Sequence, residues 1–373
     1  MKKVKLGIAG IGSMGKIHAL CLFNNEVPEI ELTAVADVNP ESLKWAKDNL
    51  PDVAQFNNAN DMMDSGLIEA IFIVTPHYEH PVIAMEAFNR GLHVLIEKPA
   101  GVYTKQVRIM NEAYEKLKTE RKEKSIPIFG IMYQVRTDHI FRKMRELVKG
   151  GTLGEIRRVN WIVTDWYRSQ FYYNSGTWRA TWKGEGGGVL LNQCPHNIDL
   201  LQWICGMPTS INAHMKFGKW HDIEVDDDVT AYLEYPNGAT GVFVTSTGDA
   251  PGSNRFEITF DKGKLLAENG KLTLWELECT EQEFSRKNKE MFGAPTSTKV
   301  DVETDGKFEQ HPGVLKAFAG AILRGEPLIA EGVEGINGLM ISNAMHLSAW
   351  LNKTVTLPID EDLFYNELSR RFK

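Results

Sequence analysis

Apolar and polar positions change rhythm once along the chain. Up to about residue 124, short continuous apolar runs alternate with stretches whose apolar residues recur at helical spacing. The runs at 4–9, 30–37, 69–74 and 93–96 predict strands buried on both faces. Helices are expected between them, near 14–25, 40–49 and 79–90, the last stopped by Gly91. Repeated strand–helix alternation of this kind implies a parallel sheet covered by helices. The charged stretch at 114–125 reads as a solvated helix face running into a loop. A further apolar strand is expected at 126–132, and an amphipathic helix at 139–151 is stopped by Gly150-Gly151.

From Ile156 the rhythm becomes that of short alternating strands. Segments 229–235 and 239–247 flank the turn Pro236-Asn237-Gly238. Segments 256–260, 264–267 and 271–275 continue as a meander. Helices are expected at 311–324 and 333–351, with the Met and Trp of the second in the core. The fold class expected is α/β plus α+β. Residues 1–124 form a dinucleotide-type domain with a parallel sheet, and residues 125–373 a domain with a large, mostly antiparallel open sheet. Asp226-Asp227-Asp228 is expected to be a solvated strand entry, because three adjacent carboxylates point in different directions.

The first strand breaks into Gly10-Ile11-Gly12-Ser13-Met14-Gly15, which is G-x-G-x-x-G between a strand and a helix. Gly10 allows a tight turn, Gly12 lets backbone approach a pyrophosphate, and Gly15 lets helix and strand pack closely. The helix N-terminus adds unpaired N–H groups. The second strand ends at Asp37, 22 residues after Gly15. A carboxylate there accepts from ribose hydroxyls and repels a 2′-phosphate, which favours NAD over NADP. Ligands of such sheets bind at the carboxyl ends of strands, so Thr75-Pro76 and Glu97-Lys98 are expected on the same rim.

Bulk properties narrow the function. At 373 residues two domains are expected. With 43% hydrophobic and 24% charged residues the composition is globular, and a net charge of −7 argues against a nucleic-acid binder. No apolar run reaches membrane-span length, and the first strand begins too early for a cleavable signal. The four cysteines lack metal-site or disulfide spacing, so reduced thiols in a cytoplasmic protein, with no metal, are expected.

Two segments carry candidate chemistry. Lys98 follows a buried strand directly, where an ammonium is costly unless paired or used. Asn192, His196 and Asp199 follow Gly186-Gly187-Gly188 at spacings that share a helix face. Pro195 leaves two alternatives: a helix from Val189 that bends, or a helix starting near Cys194 with Asn192 on its entry loop. Histidine is suited to proton exchange near neutral pH. A substrate pocket is suggested by Tyr133-Gln134-Val135-Arg136, Asp165-Trp166-Tyr167-Arg168, Tyr172, Tyr173, Trp178 and Arg179. Aromatic faces cover sugar CH faces and the polar groups bond hydroxyls. About half of these residues are expected to meet the substrate.

The segments GIAGIGSMGKIHA, TPHYEHPVIAMEAFNRGLHVLIEKPAG and GEGGGVLLNQCPHNIDLLQWICG resemble the glucose–fructose oxidoreductase, inositol dehydrogenase and rhizopine catabolism (Gfo/Idh/MocA) family over nearly the whole chain. The resemblance implies a Rossmann domain holding NAD near Gly10–Gly15, Asp37, Thr75, Pro76, His80, Glu97, Lys98, Trp178 and Arg179. It implies Lys98 and His196 as catalytic residues, His196 taking the proton of a sugar or cyclitol hydroxyl as hydride leaves its carbon. Asn192, Asp199, Tyr133, Trp166, Tyr167, Arg168 and Tyr172 would bind the substrate. Many members have Asp where this chain has Asn192, so no proton relay runs through that amide. The resemblance also implies homodimers or homotetramers through the C-terminal sheet. Two alternatives use the same frame: a hydrolase or lyase that oxidises its glycoside transiently, and an NAD-binding regulator.

Overall fold

The structure, a computed structural model, describes residues 2–120 and 126–373. Its first elements are β1 (Val4–Ala9), α1 (Ser13–Phe23), β2 (Ile30–Ala36), α2 (Pro40–Asn49), β3 (Ala54–Phe56), α3 (Ala59–Asp64), β4 (Ala70–Ile73), α4 (His80–Asn89), β5 (His93–Ile96), α5 (Thr104–Glu120) and β6 (Phe129–Ile131). The strands form one sheet in the order β3-β2-β1-β4-β5-β6. Every neighbouring pair is parallel. Leu6, Ile8, Phe72 and Leu95 are fully buried, as strands covered on both faces require. The short β3 and α3 escape the sequence pattern because three to six residues are too few to show a period. Of the charged stretch 114–125, α5 carries the first part to Glu120, and 121–125 lie outside the described residues.

There follow α6 (His139–Gly150), β7 (Ile156–Val163), α7 (Gln170–Tyr173), α8 (Pro195–Cys205), β8 (Ser210–Phe217), β9 (Asp226–Glu234), β10 (Thr240–Ser246), β11 (Asn254–Phe260), β12 (Gly263–Glu268), β13 (Lys271–Leu277), α9 (Glu281–Lys287), β14 (Ser297–Asp301), α10 (Gln310–Arg324), α11 (Gly335–Leu351), β15 (Val355–Thr356) and α12 (Glu361–Ser369). The second sheet runs β14-β13-β12-β11-β7-β10-β9-β8-β15. Its pairs are antiparallel except β7 with β10. One face is packed around Trp161, which is fully buried and stacked on Phe256 at 4.1 Å between ring centroids. The other face presents Ile162, Tyr232 and Val242 to solvent.

The chain divides into two compact units, Met1–Thr137 with Glu309–Leu339, and Asp138–Phe308 with Met340–Lys373. The strand expected at 126–132 is β6, which pairs with β5 (Val94↔Phe129) and so completes the parallel sheet. Val314, Leu315 and Phe318 of α10 join Leu6, Ile8 and Phe72 in one core. Both segments lie beyond the boundary expected after residue 124. They return to the first unit because its sheet needs a sixth strand and an apolar cover. Replacing Trp161 by Ala should cost about 3–5 kcal/mol, read as a lower urea midpoint for the unit that contains the second sheet.

Candidate active site

In the first unit, the glycine loop has the shape its sequence implies. Gly10 has φ +95°, and a Cβ there would lie 2.6 Å from the Val74 carbonyl oxygen. A Cβ on Gly15 would lie 1.9 Å from the Gly10 oxygen, so helix and strand meet at a separation only glycine permits. A Cβ on Gly12 would meet nothing within 4 Å, which leaves its outer side open to a phosphate. Gly12 caps α1, and Ser13, Met14 and Gly15 form its first turn, where N–H groups lack helical acceptors.

Asp37 ties this loop to the end of β2. Its Oδ2 accepts the Ile11 N–H at 2.7 Å and its Oδ1 the Asn39 N–H at 2.7 Å. Each oxygen keeps acceptor capacity for a hydroxyl. Across the rim, Pro76 is exposed, and Thr75 Oγ1 is buried with no protein partner. An open glycine cradle, a helix N-terminus, a strand-end carboxylate and an unsatisfied hydroxyl together fit a dinucleotide.

His80 and Glu97 act on the rim itself. His80 is buried, with its ring nitrogens 2.7 Å from the Thr75 oxygen and 2.8 Å from the Pro99 oxygen. It joins the two loops that carry Thr75 and Lys98, and burial lowers its pKa. Glu97 accepts from His18 Nε2 at 2.8 Å and from the Lys98 N–H at 2.9 Å. Burial pushes the Glu97 carboxyl up, but the His18 hydrogen bond and the charges of His18, Lys98 and His311 outweigh it and bring it to about 2. An ionised carboxylate therefore holds the peptide from which half-buried Lys98 departs. His18, Glu97 and His311 bring ligand-type atoms within 4.8 Å of one another, but the direct His18–Glu97 bond takes the line an ion would need. Tyr133 also lies in this unit, buried under the Arg136 guanidinium, which is paired with Glu334 at 2.7 Å. Arg136 is thereby committed to the protein.

In the second unit, α8 starts at Pro195 with Cys194 as its cap, the second of the two alternatives. Proline at the first helical position removes an N–H that would have no partner there. Asn192 thus sits on the entry loop, with His196 in the first turn and Asp199 almost one turn later. Asp199 is buried and accepts from Gln202 Nε2 at 3.0 Å. Asn192 Nδ2 donates to Glu185 Oε1.

The aromatic segment builds a wall beside this loop. The Arg179 guanidinium lies 4.5 Å from the Tyr172 ring centroid and 4.9 Å from that of Trp178, and donates to the Tyr172 hydroxyl at 2.6 Å. Gln193 Nε2 donates to the same hydroxyl at 3.2 Å. Trp166 Nε1 donates to Asn197 Oδ1 at 3.0 Å, and the Arg168 guanidinium lies over the rings of both Trp166 and Tyr172. Tyr167 is 53% exposed. Tyr173 belongs to the core, its hydroxyl bonded to Thr247 Oγ1 at 2.8 Å.

The expectation of a solvated strand entry at Asp226-Asp227-Asp228 is corrected by the structure: Asp226 and Asp227 are fully buried. Asp226 accepts the Gly188 N–H at 2.6 Å, the Leu190 N–H at 2.9 Å and His346 Nε2 at 2.9 Å. A Cβ on Gly188 would lie 2.0 Å from the Asp226 carbonyl oxygen, which explains that glycine. Asp227 accepts the N–H groups of Lys219, Trp220 and His221. Both carboxylates shape loops, and Asp226 fixes the glycine run that leads to Asn192 and His196.

With the site in view, comparison with known proteins is direct. Residues 4–122 match the oxidoreductase family with an NAD-binding Rossmann fold, and residues 141–266 match the GFO/IDH/MocA C-terminal domain. The chain belongs to the Gfo/Idh/MocA oxidoreductase family. It is an NAD-dependent oxidoreductase. It is 23% identical to a myo-inositol 2-dehydrogenase of Thermotoga maritima over 95% of this chain and 98% of that protein. It is 26% identical to the D-glucoside 3-dehydrogenase of Escherichia coli over 63% of this chain and 68% of that protein. The crystal structure of the WlbA dehydrogenase of Chromobacterium violaceum with NADH and UDP-GlcNAcA is similar, with a TM-score of 0.81 at 25% identity over 96% of this chain and 97% of that one.

Within this family frame, sequence reasoning missed Glu185, Gln193, Asn197, His18 and the Asp226–His346 pair. Glu185 had one local signal, a charge inside the glycine run GEGGG. His346 had none, since 120 residues separate it from Asp226. Burial raises the Asp226 pKa, but His346 and the two N–H groups outweigh it and the net shift is downward. The carboxylate therefore stabilises the fold above the ordinary carboxylate range, and this contribution is lost as pH falls through its depressed folded value. Asp226→Ala should cost about 3–5 kcal/mol at pH 7, and its deficit against wild type should shrink in acid, measured by urea unfolding from pH 7 to pH 3.

Proposed function

We propose that the protein oxidises a secondary alcohol of a sugar, glycoside or cyclitol, working in the cytoplasm as a homodimer or homotetramer. The observation that carries this reading is the wall of Tyr172, Arg179, Trp178 and Trp166 beside the Asn192–His196 entry to α8. Aromatic faces and fixed donors in one surface suit a polyhydroxylated ring. The dehydrogenase names of the inositol and glucoside relatives support the same class.

NAD, held by Gly10–Gly15, Asp37 and the Thr75-Pro76 rim, supplies the hydride acceptor when bound. The protein's own residues handle the proton and the charge. His196 accepts the hydroxyl proton as a general base. Lys98 donates a hydrogen bond to the same oxygen and stabilises the negative charge that develops there. Asn192 and Asp199 orient the ring, with Trp166, Tyr167, Arg168, Tyr172 and Tyr133 around it. Retention of both Lys98 and His196 supports an enzyme over a regulator. The relatives' dehydrogenase names favour net oxidation over transient oxidation with aglycone release.

The outer face of the second sheet supports self-association. Tyr232 and Val242 are direct cross-strand partners, so they share a side, and Ile162 lies on that side through its pairing with Val244. An exposed apolar patch on a sheet face suits a second copy of the chain.

Incubation with NAD and a panel of myo-inositol, methyl glucosides and levoglucosan should give a rise in absorbance at 340 nm with at least one member. Lys98→Ala should lower kcat by at least about 10²-fold and His196→Asn by about 10²- to 10⁴-fold. His196→Asn should bind NADH like wild type, and Lys98→Ala should still bind it, by fluorescence titration. Absence of turnover across the panel, or full activity in either variant, would defeat the reading. Tyr232→Glu with Val242→Glu should shift the sedimentation profile to a smaller species.

A further inference from the structure

Asn192 is an amide whose two ends are chemically opposite, one a donor and one an acceptor. Which end faces outward is decided by its neighbour. Glu185 is only 1% exposed. Its Oε2 accepts the Ala180 N–H at 2.6 Å, its Oε1 accepts from Asn192 Nδ2, and Arg179 Nη1 stands 3.6 Å from that same Oε1. The Glu185 N–H is itself tied to the Thr181 carbonyl oxygen, so the carboxylate sits in a closed turn. An ionised carboxylate only accepts. It therefore draws the Asn192 NH₂ to itself and turns Oδ1 the other way.

We propose that Glu185 is a positioning residue that fixes Asn192 as a hydrogen-bond acceptor toward the substrate, making the enzyme selective for a hydroxyl that donates at that place. The inference rests on the reading that Asn192 contacts the substrate, and goes beyond it by naming what sets the polarity of that contact. The arrangement keeps an acceptor at position 192 while moving the negative charge one side chain deeper, next to Arg179.

The charge state of Glu185 controls the device. Burial raises its pKa, opposed by the Ala180 N–H, by Arg179 and by Asn192, with Asp226 adding to the rise. The net shift is upward. Protonation turns Glu185 into a donor and removes the preference that holds Asn192. Selectivity is therefore lost on the acid side, at a pH above the ordinary glutamate range.

Three variants separate this from mere packing. In Glu185→Gln, the side-chain oxygen must still accept from Ala180, so the new NH₂ meets the NH₂ of Asn192. Asn192 then flips and presents a donor outward. In Asn192→Asp, two carboxylates meet at hydrogen-bond distance and one must hold a proton. In the double variant, the amide introduced at position 185 accepts from Ala180 and donates to the carboxylate introduced at position 192. The outward group is then again an acceptor.

The test measures kcat/KM from pH 5 to pH 9 with whichever member of the inositol–glucoside–levoglucosan panel wild type oxidises fastest. Each single variant should lose about 10- to 100-fold. The double variant should return to within about fivefold of wild type, as the paired donor and acceptor roles predict, and should lose the Glu185 contribution to the acid limb while keeping that of the general base His196. NADH titration and thermal melting establish that each variant is folded. Should Glu185→Gln fail to fold, Asn192→Asp against the double variant still decides. A Glu185→Gln enzyme within twofold of wild type, or a double variant no better than the weaker single, overturns the inference. Asn192→Ala distinguishes the two levels. If it is impaired while Glu185→Gln is not, only the inference fails. If Asn192→Ala is unimpaired, position 192 does not touch the substrate and the reading beneath the inference fails.

Discussion

A carboxylate taken out of water and given backbone N–H groups in exchange is the interaction on which the candidate functional segments of each unit depend. Burying an ionised oxygen is costly unless charge-assisted hydrogen bonds replace its hydration. Asp226 meets that condition with Gly188, Leu190 and His346, and in doing so sets the path of the chain into α8. Glu97 meets it with His18 and the Lys98 peptide. Asp37, only partly buried, accepts from Ile11 and Asn39 and in the same way closes the glycine loop against β2. In each case the carboxylate is coupled to main chain, so the segment that presents a functional side chain is fixed before that side chain does anything.

This arrangement explains why glycine recurs at these places. A carbonyl or carboxylate can approach a peptide closely only where no Cβ intervenes. Gly15 lies against the Gly10 carbonyl and Gly188 against that of Asp226. Gly12 differs from both, because the space beside it is open. Two of these glycines serve the protein's own packing, and the third faces open space.

Much of the first unit is legible in the sequence because its signals are local. An apolar run, a glycine loop and an acidic residue at a fixed distance all follow from the geometry of one βαβ turn. In the second unit Pro195 leaves two helix starts open, and α8 takes the later one. The parts that were not legible depend on partners far along the chain. Asp226 looks like a surface aspartate until His346 is placed beside it, and α10 reads as part of the second domain until Phe318 is found packed with Phe72. The aromatic segment shows the same limit at short range. Tyr172 and Tyr173 are adjacent and equal in composition, yet one lines the wall with Arg179 and the other bonds Thr247 in the core. Only the local turn of α7 separates them.

The chemistry we propose is a division of labour: rigid main-chain geometry for the dinucleotide, a proton acceptor at His196, and a hydrogen-bonding wall that selects the ring. Net hydride transfer from a ring carbon to NAD lies at the centre of this proposal. The most direct measurement is oxidation of a substrate carrying deuterium at a single ring carbon, followed by mass analysis of the reduced dinucleotide and of the sugar. Net oxidation puts deuterium in the NADH, leaves a ketosugar one hydride poorer, and gives a primary isotope effect on kcat/KM at that carbon alone. Aglycone release with the label returned to the sugar and no accumulation of NADH would contradict it.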